Sequence, residues 1–270
     1  MAGSGLPDLF APGMATALVL TALRVGGLML VAPMWSARTI PMRLRSVFIL
    51  LLALLLLPSA VAQGEPARLA ITPATFLGET AVGVAIGLAA ALVIAGAEFA
   101  GELMTTSIGL AGAAIFDPVN NQQGAILGSF MQMLALVLLV TAGGHLLMVE
   151  AVGRSFRVVP LGGSLALGDG LLAVTRAAAL IFRSGMQFAA PVVAAVLVAN
   201  IALAVLGRAA PQLNIMNLAF PLQIGIGLLT LAGGLGVLVH AMADWTPGFT
   251  GTLDSFARAV QATPGPAGRR

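Results

Sequence analysis

Hydrophobic and polar positions occur along this chain in long blocks rather than in short periods. Apolar stretches of roughly 20 residues, the length that a helix needs to cross a bilayer, are separated by short segments rich in proline and glycine. Blocks of this length predict membrane-spanning helices, because strands and soluble helices show shorter or one-sided apolar runs. Six spans are predicted, at about residues 15–32, 47–62, 76–97, 125–144, 186–207 and 215–243.

Breaker residues between the spans predict where the helices end, because proline fixes φ and removes an amide donor. Pro58 is predicted to lie in the second connection, Asp117–Asn121 to end the third helix, and Pro211–Asn214 to separate the last two spans. The third pattern continues past Ala97 to about Ile115, which is roughly 40 residues or about 60 Å of helix. Part of that helix is therefore expected to leave the bilayer or to break.

The composition agrees with a protein built within a bilayer. Hydrophobic residues make up 59% of the 270 residues and charged residues 9%, whereas soluble domains have about 25% charged residues. This excludes an ordinary cytosolic enzyme, a disordered chain and a nucleic-acid-binding domain. The sequence has no lysine and no cysteine, so it cannot form a Walker A loop, a lysine Schiff base or a thiolate site. The arginine distribution gives no clean orientation by the positive-inside rule.

Three charged residues within or beside the predicted spans are candidates for a functional role. Arg24 lies near the middle of the first span, where an ionisable group is costly and faces a partner or an aqueous cavity. We expect a structural ion pair or polar contact there. Glu98 and Glu102 share one helix face and could line a cation path or meet Arg24. The favoured interpretation is that the long third helix emerges there into water or into the interior of an assembly.

The candidates for enzyme chemistry are weak. Ser184 lacks the preceding glycine of an intramembrane serine protease motif, and Asp169 has no second aspartate in a membrane span. His145 and His240 have no metal-ligand partner at helical spacing. The sequence therefore predicts no catalytic residue, no metal and no cofactor.

The segment from Ser107 to Asn121 combines small residues, one phenylalanine, a proline turn and two amides. Such a segment could close a narrow lumen sterically and by dewetting, although an ordinary helix end is the alternative. The candidate gate residues are Ser107, Gly109, Gly112, Ile115, Phe116, Asp117 and Pro118.

Four segments carry a resemblance to a known family, and it extends over nearly the whole chain. The most specific is the last, because Pro-Gln-x-Asn followed by Phe-Pro is uncommon in unrelated transporters. The segments are Arg24–Pro33 with Ile40–Arg45, Glu98–Glu102 through Phe116–Pro118, Gly144–Leu147, and Arg208–Ile215 with Phe220-Pro221. In these segments the chain resembles the FliR family of flagellar export-gate membrane proteins, whose injectisome counterparts are called SctT.

The resemblance implies an all-α, polytopic membrane protein with about six long hydrophobic helices in hairpins. Residues of about 10–165 would be FliP-like helices, those of about 170–260 a FliQ-like hairpin, and 263–270 a disordered tail. Together these would form one export-gate membrane domain over residues 1–270. A FliR protein is not an enzyme and has no cofactor. It joins FliP and FliQ in the inner-membrane export gate at the flagellar basal body, FlhB associates with this gate, and unfolded flagellar subunits pass through it.

The resemblance also assigns roles to particular residues. The family's plug maps onto residues 107–121, with Phe116 as the bulky closing side chain. The last hairpin turn and its partner contacts would involve Arg208, Pro211, Gln212, Asn214 and Pro221. The alternative is a self-contained secondary transporter or channel that uses Arg24, Glu98 and Glu102 as a charge relay.

Overall fold

A computed structural model describes residues 11–36, 40–62, 66–110, 126–163, 167–210, 212 and 215–243. Side chains are described over these ranges except at residues 167–178, 180, 215–217 and 241–243. Within this part of the chain every regular element is a helix, which confirms the all-α class. The helices are α1 (Met14–Val31), α2 (Met42–Val61), α3 (Pro73–Ile108), α4 (Ile126–Thr141), α5 (Gly144–Val158), α6 (Leu167–Ala209) and α7 (Ile215–Ala243), with a short 3₁₀ turn at Pro66–Arg68.

Five of the described helices are long and apolar enough to cross a membrane, in agreement with a polytopic membrane protein. The helices α4 and α5 together have the length and composition of a sixth span, but they meet at an angle of 66°. The bend is at Gly143, whose φ of +75° is a left-handed conformation that favours glycine. The predicted fourth span therefore ends at this bend, and the chain continues into α5 in another direction.

One predicted helix breaker and one predicted helix end are wrong. Pro58 lies inside α2 rather than in the connection after it. A proline near the end of a helix removes only one backbone hydrogen bond, and the apolar pattern continues beyond it, so the helix continues as well. The helix α3 ends at Ile108, seven residues before the predicted end near Ile115. Gly109 follows with a φ of +85°, which is the conformation that commonly terminates a helix. The predicted break at Asp117–Asn121 lies outside the described residues.

The chain forms two compact units, and each is described by itself. The described residues of the first unit fall within 11–91 and 143–177, so they include α1, α2, the first half of α3, α5 and the start of α6. Those of the second unit fall within 92–142 and 178–243 and include the rest of α3, α4, most of α6 and α7. The core of the second unit is apolar, and its largest buried side chains include Met104, Ile108 and Met131.

Candidate functional site

The first unit contains a buried ion pair between α1 and α3. The Arg24 Nε atom lies 2.7 Å from Glu79 Oε2, and the two side chains are 0% and 2% exposed. A guanidinium at this depth needs a charged partner, because an unpaired buried charge costs several kcal/mol. Arg24 is thus held as part of the protein's interior.

The remaining guanidinium nitrogens of Arg24 are also occupied. Nη1 donates to Ser155 Oγ at 2.9 Å and Nη2 donates to the Val159 carbonyl oxygen at 2.9 Å. The guanidinium carbon lies 4.3 Å from the centre of the Phe156 ring, a distance typical of a cation–π contact. Arg24 therefore joins α1 to the end of α5.

The second oxygen of Glu79 completes the cluster. Glu79 Oε1 accepts a hydrogen bond from the Gly162 backbone N–H at 2.9 Å, and Ser155 donates its hydroxyl to the Val152 carbonyl at 2.6 Å. The buried charges and hydrogen-bonding groups of α1, α3, α5 and the turn after α5 therefore satisfy one another. We name this group the Arg24 cluster: Arg24, Glu79, Ser155, Phe156 and Val159.

Glycines allow α1 and α3 to approach closely enough for the Arg24 cluster to form. A Cβ on Gly83 would overlap the Arg24 carbonyl oxygen, and a Cβ on Gly87 would lie 2.7 Å from the Leu28 carbonyl oxygen. Gly27 faces them from α1, where a Cβ would lie 3.2 Å from the Gly83 Cα. The Gly83–Gly87 spacing is a GxxxG pair, and here it serves backbone-to-backbone packing.

Sequence reasoning missed Glu79, the central acidic residue of the Arg24 cluster. The third predicted span was treated as apolar from Phe76 to Ala97, although Glu79 lies within it. The sequence did contain a signal, because Arg24 in the first span requires a buried partner and Glu79 is a carboxylate inside a span. The acidic partner of Arg24 is Glu79, whereas the sequence had left Glu98 and Glu102 open as partners.

Glu98 and Glu102 lie in the second unit, on the part of α3 that faces α4. Glu98 Oε2 accepts a hydrogen bond from Gln132 Nε2 at 2.9 Å. A Cβ on Gly128 would lie 3.3 Å from Glu102 Cγ, so this glycine lets α4 pass beside the carboxylate. Glu98 is half-buried and Glu102 is exposed. The pair thus stands at the surface of the described second unit.

The segment predicted to be the gate starts from an anchored position. Ile108, the last residue of α3, is fully buried, and a Cβ on Gly227 of α7 would overlap its side chain. A Cβ on Gly109 would lie 3.3 Å from Gln223 Oε1 and 3.5 Å from the Phe220 ring. The end of α3 is therefore packed against α7.

Polar contacts extend from this anchor. Gln223 Nε2 donates to Asn200 Oδ1 on α6, and the half-buried Ser107 donates its hydroxyl to the Leu103 carbonyl at 2.8 Å. We call Ser107, Ile108 and Gly109 the stem of the predicted gate segment. Its packing and hydrogen bonds fix its position in the second unit. The other predicted gate residues, Gly112, Ile115, Phe116, Asp117 and Pro118, lie outside the described part of the chain.

The predicted hairpin turn between the last two helices is described in part. Arg208 is exposed in the last turn of α6, and Gln212 is exposed in a turn. Pro221 is not in the turn but inside α7. A membrane-type helix tolerates such a proline. The connection between the last two helices therefore ends before Ile215, where α7 begins. Pro211 and Asn214 lie outside the described residues.

The described candidates for enzyme chemistry lie in three different helices: Ser184 in α6, His145 in α5 and His240 in α7. Ser184 is buried and donates to the Ile181 carbonyl at 3.2 Å, and His240 Nδ1 lies 2.9 Å from the Gly236 carbonyl oxygen. His145 is half-buried near the start of α5, and the Asp169 side chain lies outside the described part. In the described ranges no three histidine, aspartate or glutamate residues are placed to hold a metal ion.

Comparison with known proteins gives a consistent result. The family model described as "Bacterial export proteins, family 1" matches residues 15–247. The chain is 32% identical over 210 residues to the flagellar biosynthetic protein FliR of Escherichia coli (strain K12), covering 78% of this chain and 80% of that protein. It is 30% identical to the FliR protein of Caulobacter vibrioides over 235 residues, covering 86% and 92%. For FliR of Bacillus subtilis (strain 168) the identity is 26% over 228 residues, covering 82% and 87%.

Proposed function

The chain belongs to the bacterial export proteins, family 1, and from that premise we propose that it is a non-enzymatic subunit of a flagellar protein export gate. In this proposal it forms, with FliP and FliQ, a channel in the bacterial inner membrane at the flagellar basal body. Unfolded flagellar subunits pass through the channel, and FlhB associates with it. The observation that carries the proposal is the similarity to FliR proteins along more than three quarters of the chain.

The chemistry of the buried polar groups supports a structural subunit. Arg24 makes polar contacts through Nε, Nη1 and Nη2 and is fully buried. A guanidinium in this state holds helices together and is not available to relay an ion. The rival hypothesis of a self-contained transporter, which needs Arg24, Glu98 and Glu102 to act together, receives less support from this geometry.

We propose further that residues 107–121 restrict the pore of the resting gate. Three features support this role: the small-residue run, the bulky Phe116, and the packing of the stem at Ile108 and Gly109 against α7. A closing segment has to move while its base stays in place. A fully buried residue at the end of α3 provides such a base, and the left-handed Gly109 redirects the chain immediately after it.

The proposal is tested by co-expressing the tagged full-length chain with FliP and FliQ from the same bacterium. A gate subunit is expected to co-purify with both in a stable detergent-solubilised complex, and its gene deletion should abolish secretion of flagellar subunits. The matched control is a tagged, unrelated six-span protein expressed in the same way. Purification of the chain without either partner, together with solute transport by the chain alone in liposomes, would favour the transporter instead.

A further inference from the structure

We propose that Gln223 on α7 is a positioning residue for the gate segment and that Asn200 on α6 orients it. In this proposal the Gln223 side chain fixes Gly109, the residue at which the gate segment leaves α3, and so determines how tightly the resting gate is closed. The proposal rests on the proposed role of residues 107–121 in restricting the pore. All three residues belong to the second unit.

One face of α7 is the surface against which α3 ends. Gln223 and Gly227 follow Phe220 by three and seven positions, a spacing that places side chains on one side of a helix. Ile108 is fully buried, and a Cβ on Gly227 would overlap its side chain. A Cβ on Gly109 would lie 3.3 Å from Gln223 Oε1 and 3.5 Å from Phe220 Cδ1. The chain therefore leaves α3 with its backbone against the Gln223 amide.

The orientation of the Gln223 amide is fixed from its other side. Gln223 Nε2 donates to Asn200 Oδ1, and both side chains are half-buried. Because the Asn200 oxygen can only accept, it selects the nitrogen of Gln223 and leaves the Gln223 oxygen on the side of Gly109. An amide without a partner is costly between apolar helices, which keeps the pair together. Asn200 therefore acts on Gly109 through Gln223.

Gly109 is the position at which the gate segment can pivot. Its φ of +85° is a left-handed conformation that favours glycine, and its N–H donates to the Thr106 carbonyl at 3.2 Å. Gly109 has no side chain to hold it in place, so neighbouring groups have to do so. Gln223 and Phe220 occupy the space on its α7 side. Loss of the Gln223 amide is expected to loosen the start of the segment while Ile108 stays anchored.

The first test compares variants of nearly equal side-chain volume in cells that carry the assembled gate. Gln223→Met and Asn200→Leu each remove the hydrogen bond between α6 and α7. Each is expected to raise small-solute uptake per assembled complex about threefold, the factor that corresponds to a typical interhelical hydrogen bond in a membrane protein. The double variant is expected to leak no more than Gln223→Met alone, because Asn200 acts through Gln223.

A matched control is present on the same helix. The Thr230 hydroxyl donates to the Ile226 carbonyl of α7 itself, so Thr230→Val removes a polar group without breaking a bond to α6. This variant should not leak. Equal leakage from Thr230→Val and Gln223→Met would contradict a specific role for Gln223.

The second test follows the stem directly. The sequence has no cysteine, so Ser107→Cys introduces a single thiol into the chain. Its rate of reaction with a water-soluble maleimide in the purified complex is expected to rise about threefold when Gln223→Met is added. Ser129→Cys on the exposed surface of α4 is the control and should react equally fast in both backgrounds. A role confined to the packing of α6 on α7 would leave the Ser107→Cys rate unchanged.

Deletion of residues 109–113 separates this proposal from the one on which it rests. Leakage from the deletion but not from Gln223→Met or Asn200→Leu would overturn the positioning role alone. Absence of leakage from the deletion as well would overturn the gate itself. Loss of co-purification with FliP and FliQ in Gln223→Met, or additive leakage in the double variant, would also exclude the positioning role, because a positioning residue is not needed for assembly and Asn200 would then act independently.

Discussion

Arg24 on α1 and Glu79 on α3 are 55 residues apart in the sequence and form an ion pair with a nitrogen–oxygen distance of 2.7 Å. Both charges are removed from solvent, which costs several kcal/mol for each ion. Ser155, Val159 and Gly162 offset that cost with hydrogen bonds to the pair. Loss of either partner would leave the other charge buried without compensation.

Glu79→Gln is therefore expected to lower the free energy of unfolding by about 3–5 kcal/mol, because it leaves the Arg24 guanidinium buried without a counter-charge. Thermal unfolding of the purified chain in detergent, followed by circular dichroism, measures the effect. The double change Arg24→Met with Glu79→Met is expected to cost less than Glu79→Gln alone, because it removes both charges.

A matched control is present on α5. Glu150 and Arg154 form an ion pair at 2.6 Å, but their side chains are 51% and 56% exposed. Glu150→Gln should change stability by less than about 1 kcal/mol. Equal losses from Glu79→Gln and Glu150→Gln would contradict the role given to the buried pair.

Gly83→Ala tests the close crossing of α1 and α3. The added Cβ would overlap the Arg24 carbonyl oxygen, and backbone atoms cannot turn away as a flexible side chain can. We expect a loss of about 1–3 kcal/mol, seen as a lower unfolding temperature. The control is Gly233→Ala on α7, where a Cβ meets nothing within 4 Å. If both variants unfold at the same temperature as the parent, the crossing is looser than described.

Deletion of residues 109–113 is expected to raise the permeability of cells that carry the assembled gate to small solutes. The physical reason is that a shortened segment no longer reaches across the lumen. Uptake of a small fluorescent solute gives the measurement. Deletion of residues 264–268 from the C-terminal tail is a control of equal length. Unchanged uptake in the first variant would count against a plug at residues 107–121.

Gly109→Val tests the same segment through one backbone position. A β-branched residue at a φ of +85° is strained, at a cost of about 1–2 kcal/mol. We expect this change to redirect the start of the segment and to increase solute leakage less than the deletion does. Gly225→Val on α7, where a Cβ has open space, should cause no leakage. Leakage from Gly225→Val alone would point to α7 rather than to the α3 stem.

Asn214→Leu is expected to reduce co-purification with FliP and FliQ. Asparagine favours turns because its side chain hydrogen-bonds nearby backbone groups, and leucine removes that preference between α6 and α7. Quantitative immunoblotting of the partners gives the result. Gln187→Leu makes a similar change on the exposed surface of α6. Full recovery of both partners with Asn214→Leu would limit Asn214 to a role in the turn.

The sequence alone was sufficient for the fold class and for several local features. Apolar blocks of about 20 residues predict spanning helices because only a helix satisfies its own backbone hydrogen bonds in lipid. The cost of a charge in an apolar span likewise required a polar partner for Arg24. The last predicted span, 215–243, coincides with α7. The GxxxG spacing of Gly83 and Gly87 is also visible in the sequence, although the spacing does not show which helix the pair meets.

Only the tertiary structure decided which groups meet. The sequence could not choose among carboxylates as the partner of Arg24, because nearly every helix face is apolar and periodicity does not show which face is buried. Packing selected Glu79, since the glycines at the α1–α3 crossing bring that level of α3 against α1. The bend at Gly143 and the end of α3 at Ile108 likewise depend on left-handed glycines, and glycine composition alone does not show which glycine takes that conformation.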